Sequence, residues 1–117
     1  MDAARDPLQT TGRAQIDELA RGLQARCAQL ADTPPLDQAV AAFKAQVRAL
    51  FDAEEACLAE ADAALREEQF AEREEFEAFA DEVLSAAHFD SVELQRFAMA
   101  WCAGHLHSAV ARLRRSS

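Results

Sequence analysis

Tyrosine is absent from the 117 residues, and glycine and proline occur only three times each. So few turn-forming residues leave little room for the tight connections of a many-stranded sheet, and valine, isoleucine and threonine are too sparse to furnish strands. No apolar run approaches the roughly 18 residues needed to cross a bilayer, so no membrane span is expected. The three cysteines, Cys27, Cys57 and Cys102, are odd in number and widely spaced, which argues against a disulfide framework. With no basic-then-apolar leader ahead of them, they read as reduced thiols of a cytoplasmic protein. Basic charge is short as well: twelve lysines and arginines face twenty-one acids, a net charge of −9. That balance repels phosphate backbones and anionic membranes alike, so neither nucleic acid nor a membrane surface is an expected partner.

What remains is rich in alanine and leucine and 50% hydrophobic, the composition of an all-α protein. The length suits one domain with a core of its own. Residues 1–11 lack periodicity and contain Pro7, which predicts a flexible arm ahead of a bundle over residues 12–115.

Apolar residues recur at spacings of three and four, the period of one helix face. From Arg13 to Ala31 the stripe is Ile16, Leu19, Ala20, Leu23, Cys27 and Leu30, and the prolines of DTPP (32–35) end it. A second helix starts near Leu36 with Val40, Phe43, Val47, Leu50, Glu54 and Cys57 inward. No glycine or proline interrupts residues 36–87, yet one helix of that length would run roughly 75 Å, too long for this chain. A break is therefore expected in ADAAL (61–65), with Asp62 as the cap of a third helix. That helix presents Leu65, Gln69, Arg73, Phe76, Ala80 and Val83. After HFDS (88–91) the pair Asp90 and Glu93 suits a capping box, and the fourth stripe runs Leu94, Phe97, Trp101, His105, Ala109 and Leu113. Arg114 and Arg115 complement the negative end of that helix. Four amphipathic helices with short connections predict an up-down-up-down antiparallel bundle.

Four polar residues, Glu54, Gln69, Arg73 and His105, stand on these inward stripes. Their order resembles a known set of motifs. Ile16, Asp17 and Leu23 surround Ala20; Leu50, Phe51, Glu54, Glu55 and Leu58 follow; Gln69 and Arg73, one helical turn apart, are flanked by Glu72 and Phe76; and Trp101 and His105 precede Val110. In this arrangement the chain resembles the hemerythrin-like family, most closely the bacterial hemerythrins that bind oxygen at two irons. The resemblance implies a four-helix bundle and places the di-iron pocket at Ala20, Leu50, Glu54, Gln69, Arg73, His105 and Val110. Only Glu54 and His105 keep the family's ligand identity. The tyrosine-proline pair usual in the family at the turn between the second and third helices is Ala63 and Ala64 here.

One imidazole and one carboxylate cannot offset the lost hydration of two irons, which need roughly five or more protein ligands. Reversible dioxygen binding is therefore not expected, nor is any cofactor. A carboxylate left alone in a core costs several kcal/mol, and Arg73 is the expected partner of Glu54, with Gln69 and His105 completing the hydrogen bonds. The competing expectation is that Arg73 lies at the stripe edge and sends its charge to water. A weaker alternative retains one metal ion, such as zinc, on Glu54, Cys102 and His105, with Cys57 one turn from Glu54. His88 and His107 read as solvated bystanders, and Phe70, in an acidic run, as an aromatic outside the main stripe. No nucleophile-base arrangement or phosphate loop is present, so the chain is not expected to be an enzyme. The leading expectation is a metal-free, non-enzymatic bundle that acts as a protein-interaction or regulatory module, its partner another protein or a second copy. The alternative is a binding protein that holds one metal ion or a small molecule in the vacated pocket.

Overall fold

A computed structural model describes residues 13–32, 36–82 and 91–116. It contains four helices: α1 Ala14–Gln29, extended by a 3-10 turn at Leu30–Asp32; α2 Leu36–Cys57; α3 Ala63–Glu82; and α4 Ser91–Arg115. The expected all-α four-helix bundle is what the chain forms. The expected N-terminal arm, His88 and the capping position Asp90 lie outside the described residues, as does the expected inward residue Val83.

The long stretch without glycine or proline does break, a few residues ahead of the expected place. α2 ends at Cys57, where the Leu58 amide is shared between the carbonyls of Glu54 and Glu55 and the Ala61 amide returns to Leu58. Leu58 is 1% exposed, so the turn is held by an apolar plug at the end of the core. The Asp62 carbonyl then accepts the amides of Leu65 and Arg66, opening α3.

Pairings along the helices give the topology. Between α2 and α3, Arg48 meets Glu77 at 2.9 and 2.7 Å while Glu54 meets Gln69, so numbers rise on one helix as they fall on the other. Between α3 and α4, Phe79 stacks on Phe97 and Glu68 pairs with Arg115. Between α4 and α1, Gln95 Oε1 accepts the Ala31 amide at 2.8 Å and Ser116 accepts from Arg13. Each pair is antiparallel, so α1 and α2 also run opposite ways.

α4 buries a broader face than its expected stripe, because it packs against α1 on one side and α3 on the other. Ala98, Cys102 and Leu106 are buried although the stripe skipped them, while Phe97 and Trp101 are half-buried. Trp101 adjoins Phe43, Phe51 and Phe76, with centroids 6.5, 6.1 and 4.8 Å away. These aromatics roof the polar residues of the next turn. Phe51 is fully buried, and replacing it with alanine is expected to cost about 3–5 kcal/mol in urea denaturation. Phe70→Ala, at a position 62% exposed, is expected to stay within about 0.5 kcal/mol of the parent.

Candidate functional site

Near the lower end of the bundle, where α2 turns into α3, four polar side chains are buried among the described residues: Glu54, Gln69, His105 and Arg112. Helical spacing delivers the set. Gln69 and Glu72 are i and i+3 on α3, and His105, Ser108 and Arg112 are i, i+3 and i+7 on α4, so each trio or pair shares one face. Glu54 comes from the last full turn of α2 and is wholly enclosed.

The carboxylate of Glu54 is bracketed by two helices. His105 Nε2 lies 2.9 Å from Oε2 and 3.1 Å from Oε1, and Gln69 donates its amide to Oε1 at 3.1 Å. The chain of contacts continues outward. Arg112 Nε donates to Gln69 Oε1 at 3.1 Å, and its Nη2 donates to Glu72 Oε1 at 2.5 Å. Ser108 Oγ sits 2.7 Å from Glu72 Oε2. His105 Nδ1 is 3.3 Å from Glu72 Oε1, within ion-pair reach, but the alignment does not make a hydrogen bond. The imidazole is clamped on its faces as well, stacked on Trp101 at 5.0 Å and edge-on to Phe51 at 4.9 Å.

Two carboxylates thus face an imidazole and a guanidinium. Burial alone would push the His105 pKa down, but the hydrogen bonds to Glu54 and the negative charges of Glu54 and Glu72 outweigh it and lift the value to about 9. His105 is therefore an imidazolium at neutral pH, and the cluster balances its charge internally. Burial likewise works to raise Glu72, yet His105, Ser108 and Arg112 hold it down at about 2.

The expected partnership of Arg73 with Glu54 is corrected here. Arg73 Nη1 lies 2.9 Å from Asp52 Oδ1 and 2.9 Å from both oxygens of Glu55, with Cζ 5.5 Å above the Phe51 ring. Its site lies at the stripe edge, where acids on the outer face of α2 are nearer and the guanidinium keeps contact with water. Arg112 is the cation that enters the core, and it was missing from the expected site. The available signal was its spacing, two turns beyond His105; proximity to the helix end had favoured a dipole role for the neighbouring arginines.

Ala20, Leu50 and Val110 are buried apolar residues that supply no donor atom. Gln69 is committed to Glu54 and Arg112, and Glu54 and His105 are committed to each other. This donor set does not fit a pair of metal ions: the nearest replacement for a metal charge, Arg112, is already hydrogen-bonded into the cluster. Nor do Glu54, Cys102 and His105 converge as a mononuclear set. The Cys102 side chain instead borders a cavity with Cys27 of α1, and Cys57 is half-buried at the end of α2. Among the described residues, no three His, Cys, Asp or Glu side chains are placed to hold an ion. His107 is exposed.

Two outcomes follow. Arg112→Leu removes a buried cation from two partners and is expected to cost about 3 kcal/mol, whereas Arg73→Leu, at a solvated pair, is expected to cost less than about 1 kcal/mol in the same chemical denaturation. Stability should also depend on pH through both shifted groups. His105 binds its proton more tightly when folded, so its contribution is complete below its ordinary 6.5 and is lost as pH rises through about 9. Glu72 contributes fully above its ordinary 4.5 and loses that contribution as pH falls toward about 2. The cluster is most stabilising between those ordinary values, and His105→Gln should flatten the alkaline limb of a urea-midpoint series and shrink the acid limb as well, because His105 is one of the groups that hold Glu72 down.

No family model, curated protein or solved structure gives a significant match to this chain.

Proposed function

We propose that the chain is a hemerythrin-like bundle whose di-iron position has become a closed polar cluster, and that it acts through its surface as a non-enzymatic protein-interaction or regulatory module. The observation that carries this reading is the internal neutralisation of Glu54 by His105, extended through Gln69 to Arg112 and Glu72. A site with every charge balanced from within has little affinity left for a cation and no open position for a reacting group. Ser108 illustrates the point: its hydroxyl bonds to Glu72, while the reactive-side nitrogen of His105 faces Glu54.

The surface supplies the other half of the reading. Phe70 is 62% exposed and borders a groove of about 380 Å³ whose walls include Leu58, Arg66 and Arg73. An aromatic ring of that exposure beside a concave surface is a common anchor for protein contacts. The net charge of −9 disfavours nucleic acid or an anionic membrane as that partner. No described helix is long and apolar enough to cross a membrane. The reduced state of three unpaired cysteines suits the cytoplasm.

Protein isolated without chelator is expected to carry substoichiometric iron and to lack oxygen-dependent near-ultraviolet bands; a full iron pair per chain would overturn the metal-free centre. The interaction half is checked in cells with a photoreactive phenylalanine analogue at position 70. A discrete adduct, with another protein or with a second copy, is expected there and not at exposed Glu75 on the same helix. Equal labelling at both positions, or none at 70, would sink the surface reading.

A further inference from the structure

On the seam between α1 and α4, one helical turn from His105, three sulfur-bearing side chains border one cavity. Cys27 of α1 and Cys102 and Met99 of α4 line a space of about 220 Å³, together with Gln24 and Ala103. The two thiols are buried, at 0% and 2% exposure, whereas Met99 is 47% exposed and stands at the mouth. Met99 and Cys102 are one turn apart on α4, which puts both on the face turned toward α1. Cys27 Sγ approaches the Ala98 carbonyl at 3.6 Å, which fixes its side chain against that same stretch of α4.

We propose that Cys27, Cys102 and Met99 form a binding site for a soft monovalent cation of the Cu(I) type. Ligand chemistry selects the ion. Two thiolates and a thioether are soft donors that favour Cu(I), while harder divalent ions prefer oxygen and nitrogen. Zinc in a closed structural site takes four ligands, and this cavity offers three. Low coordination numbers suit Cu(I), and a thioether completes a two-thiolate set without adding charge.

The Cys27 thiol donates to the Ala98 carbonyl, and it and the Cys102 thiol border the same cavity. The cation takes the place of both thiol protons: Cys27 and Cys102 each release a proton to solvent as their sulfurs bind M⁺, and an anionic S–M–S unit remains. Charge and atoms balance, and no oxidant or reductant is consumed. Met99 gives the ion a first point of capture at the surface and a third donor once it is inside. The position is also distinct from the pocket implied by the family resemblance, since none of the three sulfur residues is one of its seven positions.

The test is an anaerobic titration of the reduced full chain with Cu(I) supplied as its bicinchoninate complex. The expected result is transfer of one Cu(I) per chain, with ultraviolet absorption from thiolate-to-copper charge transfer. Cys57→Ala should behave as the parent, because Cys57 lies at the end of α2 and not on this cavity. Cys27→Ala and Cys102→Ala should each abolish the transfer, with circular dichroism reporting retained helix. Met99→Leu should weaken it about tenfold. Failure of the parent to withdraw copper, unchanged affinity in Met99→Leu, or loss in Cys57→Ala equal to that in Cys27→Ala would each overturn the site. Met99 is half exposed, so its variant keeps the test decisive if a cysteine variant does not fold.

Discussion

The carboxylate of Glu54 is the constraint around which the lower half of this bundle is organised. An ionised group with no exposure must be met by hydrogen bonds and opposite charge, or it forces its own protonation or the opening of the core. The fold meets it from two directions. Gln69 of α3 and His105 of α4 supply donors directly, and the demand then passes along the cluster, because a charged His105 and a polarised Gln69 need partners of their own. Glu72 and Arg112 serve them, and Arg112 closes the path where the interior reaches the surface. Truncating any member strands its neighbour, so the cluster acts as one unit whose terms do not add independently.

That unit also sets the division between inside and outside. Apolar aromatics above it, Phe43, Phe51, Phe76 and Trp101, exclude water and so strengthen its electrostatics. The same exclusion restricts what the site can do, since among the described residues His105 Nδ1 alone of the fully buried side-chain nitrogens and oxygens lacks a hydrogen bond. A closed and neutral centre gives structural specificity rather than reactivity. Under the proposed reading, the work of the protein moves to its exterior: to the groove beside Phe70 and, separately, to the sulfur-lined cavity between α1 and α4.

Several features of this arrangement were legible in the residues. The inward placement of Glu54, Gln69 and His105 followed from a period near 3.6, and all three occupy the core. The break near Asp62 followed from length alone, although no glycine or proline marks it. The exposure of Phe70 followed from its offset relative to Leu65, Gln69 and Phe76. Arg73 shows where such reading stops: its register put it on the inward stripe as the expected partner of Glu54, whereas the fold sets Asp52 and Glu55 beside its guanidinium instead. Arg112 shows the converse, an arginine near a helix end whose long side chain reaches back to Gln69 and Glu72. The Cys27–Cys102 pair was equally hidden, because seventy-odd residues separate its members and only the apposition of α1 with α4 joins them.

Helix number, helix phase and the presence of polar groups in the core are local properties, carried by spacing within one segment, and they could be read before any packing was known. Which cation neutralises the buried carboxylate, and which thiol faces which, are decided between segments. They depend on the rotation of each helix about its axis and on distances across the bundle, where a shift of one side-chain length exchanges one partner for another. Single-chain periodicity holds no information at that scale; only the folded bundle does.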